Sequence, residues 1–374
     1  MDYKRLGKYI REVNVRNKDM NVTNLQGVSI SKQFIPSIAN TIGTDMSAYK
    51  VVKPGQFAYG PVTSRNGDKV SIALYKGDGD AIISQAYTVF EVIDSEQMSS
   101  EYLMMWFQRP EFDRYARFHS HGSAREIFDW DELCGVYLPL PDIDHQREIV
   151  EEYETLSRPI RLNNEMIEKL EATAHALYRK MFVDGIDKEN LPEGWRMGKL
   201  EDICDCFDSK RKPVAGYDRD KMDSSKRIYP YYGAAALMDY VDDYIFDGDY
   251  ILMGEDGTVM NDDYTPVIQY VRGKFWVNNH AHILKGKNGF DENLLYLFLK
   301  QTNVKDIVTG GVQAKINQEN MMSIPAIIPP HDLIKELRGM ENPIFREIHL
   351  REQENSKLSE LQSLLLAKMG NLKQ

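Results

Sequence analysis

Leu138-Pro139-Leu140-Pro141 leads into Asp144-His145-Gln146-Arg147-Glu148-Ile149-Val150 and a long charged stretch punctuated by leucine. Ile327-Ile328-Pro329-Pro330 leads in the same way into Asp332-Leu333-Ile334-Lys335-Glu336-Leu337 and a second such stretch. Pro141 aligns with Pro330, and Lys169-Leu170 and Lys180-Met181 align with Lys357-Leu358 and Lys368-Met369. Upstream, Gly122 pairs with Gly311 and Ile127 with Ile316, and Arg5-Leu6-Gly7-Lys8 resembles Arg196-Met197-Gly198-Lys199. A period of roughly 190 residues is far longer than the ~20–50 of a solenoid unit. It predicts two whole domains and two helices, a pseudo-twofold internal repeat. Two similar modules at a fixed separation suit the reading of two similar sites.

The two charged stretches read as helices. In the first, positions 149, 153, 156, 160, 163, 167, 170, 174, 177 and 181 step by four and three and hold Ile, Tyr, Leu, Ile, Asn, Ile, Leu, Ala, Leu and Met. That is a coiled-coil seam with one polar member, Asn163. The second seam runs Leu337, Glu341, Ile344, Ile348, Arg351, Asn355, Leu358, Gln362, Leu365 and Met369. It is less apolar, and antiparallel pairing sets Arg351 and Asn355 near Asn163. Pro159 and Pro343 are expected to kink their helices or start new ones. Asp144 to Met181 would span about 57 Å at ~1.5 Å per residue, with one domain at each end. On B-DNA that distance is on the order of one and a half turns of ~34–36 Å.

The expected fold is α+β: two mixed α/β domains joined by two long antiparallel helices. Residues 1–141 form the first domain, 142–183 the first helical region, 184–191 a polar linker, 192–328 the second domain and 329–374 the second helical region. Short β-rich runs such as Val70-Ser71-Ile72-Ala73-Leu74 and Val267-Ile268-Gln269-Tyr270-Val271 are split by Gly, Pro, Asn and Asp. Helices are expected over 99–107, behind a Ser cap, and over 293–300. No apolar run approaches the ~18 residues of a membrane span. The start Met1-Asp2-Tyr3-Lys4-Arg5 has no apolar run behind it. Three scattered cysteines argue against a disulfide framework and fit a reducing cytoplasm. A net charge of −11 lowers the odds of autonomous nucleic-acid binding, since phosphate neutralisation supplies most non-specific affinity. Local basic groups depart from that total: Lys210-Arg211-Lys212, and Arg114, Arg117, His119, His121 and Arg125.

No glycine-rich loop ends in Gly-Lys-Ser or Gly-Lys-Thr, so there is no nucleotide-binding P-loop. Gly254-Glu255-Asp256-Gly257-Thr258 is too acidic to cradle phosphate and reads as a tight turn. No Asn-Pro-Pro-aromatic tetrapeptide is present to position an amino group for methylation. Cys204, Cys206, His280 and His282 form two i, i+2 pairs, each of which shares one face of a strand. They invite a zinc reading, although one intervening residue within a pair is an unusual ligand spacing. Gly122-Ser123-Ala124-Arg125-Glu126-Ile127 and Gly310-Gly311-Val312-Gln313-Ala314-Lys315-Ile316-Asn317 combine flexible backbone with Arg, Gln, Lys and Asn. Those side chains read base edges or hold phosphate, and the two loops stand at matching places in the two halves.

Taken together, the chain resembles a specificity subunit of a type I DNA restriction–modification system. In the second half the likeness rests on Leu191-Pro192-Glu193-Gly194-Trp195, Tyr231-Tyr232-Gly233 ahead of Gly254-Glu255-Asp256-Gly257, Asn278-Asn279-His280-Ala281-His282 and Lys315-Ile316-Asn317. In the first half it rests on Tyr49-Lys50-Val51-Val52-Lys53-Pro54-Gly55-Gln56-Phe57-Ala58-Tyr59 and on Leu138-Pro139-Leu140-Pro141 with Gln146. One departure is the second junction, where Leu333-Ile334-Lys335 lacks the Glu-Gln pair typical there; the first keeps it only as His145-Gln146.

The resemblance implies two target-recognition domains reading a bipartite site in double-stranded DNA, with the helices as the ruler between them. It implies a chain with no catalysis and no cofactor of its own. Its partners would be two methyltransferase subunits, which bind S-adenosylmethionine and dock on the helices, and motor–nuclease restriction subunits. Candidate DNA contacts, carried over by domain position and side-chain chemistry, are Arg65, Asn66, Arg117, His119, Ser120 and Arg125 in the first domain. In the second they are Lys210, Arg211, Lys212, Tyr231, Asn279, Gln313, Lys315 and Asn317. Two other classes compete: a metal-dependent hydrolase built on Cys204, Cys206, His280 and His282, and an assembly scaffold that reads no sequence.

Overall fold

The computed structural model describes residues 3–37, 43–64, 66, 67, 69–122, 125–223, 225–311 and 313–370. The chain divides into two compact units, Met1–Asn163 with Gln353–Gln374, and Asn164–Glu352. The expected α+β architecture is present: two α/β domains and two long helices, Ile143–Phe182 and His331–Met369. Each unit holds one domain and half of each long helix.

In the first unit, one sheet orders its strands Ile10–Val13, Thr88–Val92, Phe57–Tyr59 and Ile72–Leu74, all antiparallel. A second orders Phe34–Pro36, Leu25–Val28, Ala81–Ile83 and Lys50–Val52, with one parallel pair, Leu25–Val28 beside Ala81–Ile83. The second unit repeats both sheets strand for strand. Cys204–Cys206, Ala281–Gly286, Tyr250–Gly254 and Ile268–Val271 make the first. Leu237–Val241, Tyr229–Tyr232, Lys274–Val277 and Phe246–Asp247 make the second, with the parallel pair in the same place.

Alternation along the strands gives each domain two cores. Phe57 and Tyr59 face one cluster, while Ala58 between them faces another with Val52, Ala81 and Ile83. In the second unit Ile251 and Met253 face one way and Leu252 the other, with Phe246, Phe275 and Val277. The small residues of the first domain, Ala58 and Ala81, thus give way to Leu252 and Phe275 in the second.

Hydrogen bonds at equivalent places fix how the halves correspond. Leu6 N–H donates to Val136 O as Leu200 N–H does to Ile324 O, both at 2.8 Å. Phe128 N–H donates to Pro61 O at 2.9 Å, and Ile316 N–H to Glu255 O at 2.8 Å. This corrects the alignment read from sequence: Leu6 corresponds to Leu200 rather than Met197, Gly122 to Gly310 rather than Gly311, and Ile127 to Lys315 rather than Ile316. The glycines show why. Gly122 and Gly310 have φ of +135° and +92°, and a Cβ on either would sit 2.1 Å from a carbonyl oxygen three residues on, that of Arg125 or Gln313. Two adjacent glycines hide that distinction in the sequence.

The helices close the cores. In the first unit Ile149 of one helix and Leu366 and Met369 of the other enter the same cluster. Gln362 Nε2 donates to Ser157 Oγ at 2.8 Å. Asn163 Nδ2 donates to Glu354 Oε2 at 3.0 Å and Asn355 Oδ1 at 2.9 Å, so the halves run antiparallel. In the second unit Ala174, Tyr178 and Phe182 pack with Ile334, Leu337, Phe345 and Ile348. All twenty seam positions are buried or half-buried. Neither Pro159 nor Pro343 ends its helix; one missing N–H is outweighed by packing on both sides of it.

Fully buried Gln146 pins the first helix: its Oε1 accepts from Ser99 N–H, and its Nε2 donates to Gln97 O and Pro141 O, all at 2.8–2.9 Å. The corresponding residue of the second helix is buried Ile334, an apolar solution to the same junction.

Glu341 is the one awkward member of the seams. It is fully buried, and neither carboxylate oxygen has a hydrogen-bond partner among the described residues. Burial, with Asp291 adding to it, pushes its carboxyl up to about 8. A raised folded-state value means the contribution to stability is complete below the ordinary value of 4.5 and is lost as pH climbs to about 8. We expect Glu341→Gln to flatten the stability of the full chain across that window by about 2–4 kcal/mol, at ~1.36 kcal/mol per unit. Urea unfolding from pH 5 to 9 measures it; parallel wild-type and variant curves would refute it.

Candidate nucleic-acid interface

In the second domain four loops converge at one end of the first sheet: 208–212, 254–258, 278–282, and 309–311 with 313–317. Their centre is an ion network. His282, 1% exposed, places Nδ1 2.5 Å from Asp208 Oδ2 and Nε2 2.8 Å from Ile316 O. Arg211 pairs with Glu255 and, at 3.4 Å, with Asp208, and donates to Ala281 O at 2.9 Å and Asn279 O at 3.3 Å. Lys315 Nζ stands 3.2 Å from the second oxygen of Glu255. Burial pushes the carboxyls of Asp208 and Glu255 up. The His282 contacts on Asp208, and those of Arg211 and Lys315 on Glu255, more than offset it and hold both below the usual range.

This network decides which side chains remain for a ligand. Arg211 is turned inward, its side chain 15% exposed, and anchors the loop through these pairs. Lys210 and Lys212 on either side point outward and are exposed. Tyr231 is turned inward too. It is 2% exposed, accepts from Val214 N–H at 3.1 Å and lies under the Arg219 guanidinium, 4.8 Å from its ring centre. Asn279 and Gln313 are exposed. Lys315 is half exposed beside Glu255. Asn317 is exposed, and its Oδ1 accepts from Asn320 N–H at 2.7 Å, capping the helix Gln318–Met322.

The four residues of the metal reading are not assembled. Cys206, Asp208 and His282 alone draw within 4.8 Å among the described residues. Both His282 nitrogens already face protein oxygens, Asp208 Oδ2 and Ile316 O, so the ring is engaged within the protein. Cys204 fills the core position that Ile10 fills in the first domain, and exposed His280 pairs with Asp256 at 2.7 Å. Burial pushes the thiols of Cys204 and Cys206 up to about 12, which disfavours the thiolate a metal requires. The histidine pair is thus split between a buried network and the surface.

In the first domain the same loops are held by hydroxyl and backbone contacts, with carboxylate pairs toward the surface. Thr63 Oγ1 donates to Ser120 Oγ at 3.0 Å, and Ser120 Oγ donates to Ala116 O at 2.7 Å. Asn66 Nδ2 donates to Val62 O at 3.2 Å. Arg117 donates to Gly67 O at 2.8 Å and lies 3.5 Å from Glu126. His119 stacks on Tyr115 with ring centres 4.2 Å apart and lies 3.1 Å from Glu132. Arg125 is exposed; Arg65 lies outside the described residues. Asp208 and Glu255 are the participants that sequence reasoning missed. Glu255 looked like part of a solvated acidic turn, and no local pattern reveals that Arg211 folds onto it.

We expect Arg211→Ala to leave two buried carboxylates without their guanidinium and to destabilise the chain by about 2–4 kcal/mol. Lys210→Ala and Lys212→Ala should leave thermal unfolding unchanged. Equal melting temperatures for all three variants would contradict the anchoring role of Arg211.

Residues 192–336 match the family model described as the type I restriction modification DNA specificity domain. Over 156 residues the chain is 34% identical to a putative type I restriction enzyme specificity subunit of Haemophilus influenzae. That alignment takes in 40% of this chain and 37% of that protein, so the chain matches little more than a third of this relative's length. The crystal structure of a type I restriction–modification system S subunit from M. genitalium superposes with a TM-score of 0.57 at 13% identity, over 99% of this chain and 96% of that one. At that identity the likeness concerns the fold.

Proposed function

We propose that this chain, which carries a type I restriction modification DNA specificity domain over residues 192–336, is the non-catalytic subunit that reads a bipartite site in double-stranded DNA for a restriction–modification complex. The observation that carries the reading is the repeat of one two-sheet architecture with chemically different loops at the same place. Around the second domain's loops stand Lys210, Lys212, Asn279, Gln313 and Lys315 over a buried ion network; around the first stand Arg117, His119 and Arg125 over the hydroxyl contacts of Thr63 and Ser120. Equivalent loops with unlike donors and acceptors suit two unlike half-sites, since base edges are told apart by donor and acceptor pattern.

Adenine methylation would belong to two partner methyltransferase subunits with their S-adenosylmethionine, and cleavage to motor–nuclease subunits. Apolar side chains left exposed on the long helices favour those helices as the methyltransferase dock: Leu162, Leu361 and Leu364 in the first unit, and Met166, Met340 and Leu350 in the second. The net charge of −11 fits a reader whose partners supply much of the phosphate clamp. The complex would work in the cytoplasm, where its DNA is.

The test is co-purification with the methyltransferase subunit followed by selection from random duplex DNA. Two unlike short motifs at one fixed spacing are expected. Arg125→Ala and Gln313→Ala should each relax one half-site by about 1–3 kcal/mol and spare the other. A stable complex that enriches no sequence would leave an assembly scaffold in its place.

A further inference from the structure

The helix Pro110–Phe118 ends on a ring that the fold does not use. Phe118 is 80% exposed, the highest value among the exposed large hydrophobic residues described. The same helix buries Phe112 and Ala116, so its last residue is turned away from the core rather than left loose. The helix end is firmly held: Ser120 Oγ donates to Ala116 O, His119 stacks on Tyr115, and Tyr115 meets buried Phe128 edge-on at 6.2 Å. Phe118 itself meets the His119 ring edge-on at 5.2 Å. A rigidly mounted aromatic loses little conformational freedom on binding.

Its surroundings indicate a polyanion. Arg114 and Arg117, with side chains 70% and 43% exposed, lie on the same helix, and exposed His121 and Arg125 belong to the loop that follows. Arg114 is paired with Glu111 and Arg117 with Glu126, but all four groups are at the surface, where such pairs are weak and readily exchanged. The second domain lacks the ring. The bridge of His121 with Ile127 corresponds to that of Thr309 with Lys315, which sets Ala116 against Val304, both fully buried, and Phe118 against exposed Asp306.

We propose that Phe118 is a wedge that enters a base step of the first half-site, held there by phosphate contacts of Arg114 and Arg117. Apolar side chains inserted between base pairs unstack them and bend the duplex, and a ring that shares its helix with exposed Arg114 and Arg117 can make that contact. The inference rests on the DNA-reading function proposed above and assigns a step of unstacking to one half-site only.

The experiment uses the full chain with its methyltransferase subunit and the selected duplex. 2-Aminopurine is placed in turn at every position of both half-sites except the methylated adenine. The wild type is expected to raise fluorescence at one step of the first half-site and at none of the second. Phe118→Ala is expected to abolish that rise and weaken binding about ten- to a hundredfold, the scale of one lost aromatic–base contact. Phe118→Leu should keep part of both, and a mismatch built into that step should restore binding by the alanine variant. Unchanged affinity in Phe118→Ala with a silent duplex overturns the wedge while leaving the reading function intact. Loss of the methyltransferase subunit from the alanine variant overturns it in favour of a protein contact. Absence of any enriched sequence with the wild type removes the reading function and the wedge together.

Discussion

In each domain a short helix, Ser100–Gln108 or Glu292–Leu299, packs on the first sheet, and the antiparallel pair of helix halves joins the same core. Ile149 from one helix and Leu366 and Met369 from the other complete the first core, as Ala174 and Tyr178 with Leu337 and Ile348 complete the second. Neither long helix therefore belongs to a single unit. Burial of these side chains is the largest favourable contribution available at the junction, and it ties the placement of every loop in a domain to the helix pair beneath it.

The arrangement makes one unit a circular permutation of the other. The second unit runs helix, domain, helix along the chain; the first runs domain, helix, and then takes its last helix from the far end. Polar groups set the register within this apolar frame. Asn163 meets Glu354 and Asn355 in the first unit, and Gln146 locks the helix start to three backbone groups. A buried polar contact of this kind favours one alignment over its neighbours because every other alignment leaves a donor or acceptor unmet.

Above the shared frame the domains diverge. Position for position, Ala58 and Ala81 become Leu252 and Phe275 in the core, Thr88 becomes His282, and Pro61 becomes Glu255. Both core changes enlarge the side chain, so this cluster is bulkier in the second domain than in the first. The last two changes supply His282 and Glu255 to the buried ion network of the second domain. The same strands thus hold loops of different chemistry, which is what a pair of unlike readers requires.

The fold class was legible from the sequence because it rests on local pattern: four-and-three spacing marks a helix seam whatever its partner, and two copies of one junction imply two copies of one architecture. Those signals persist through heavy divergence, since burial constrains only the size and polarity of each position. The finer placements were not legible. That Arg211 turns inward while Lys210 and Lys212 do not, that Tyr231 is buried, and that Cys204 takes the place of Ile10 all depend on strands and loops dozens of residues away. Which glycine matches Gly122 depends on where one carbonyl oxygen lies. The chain's own periodicities carry the elements and their repetition; only the packed structure, where distant groups compete for the same hydrogen bonds and the same dry space, decides which side chains are left facing outward.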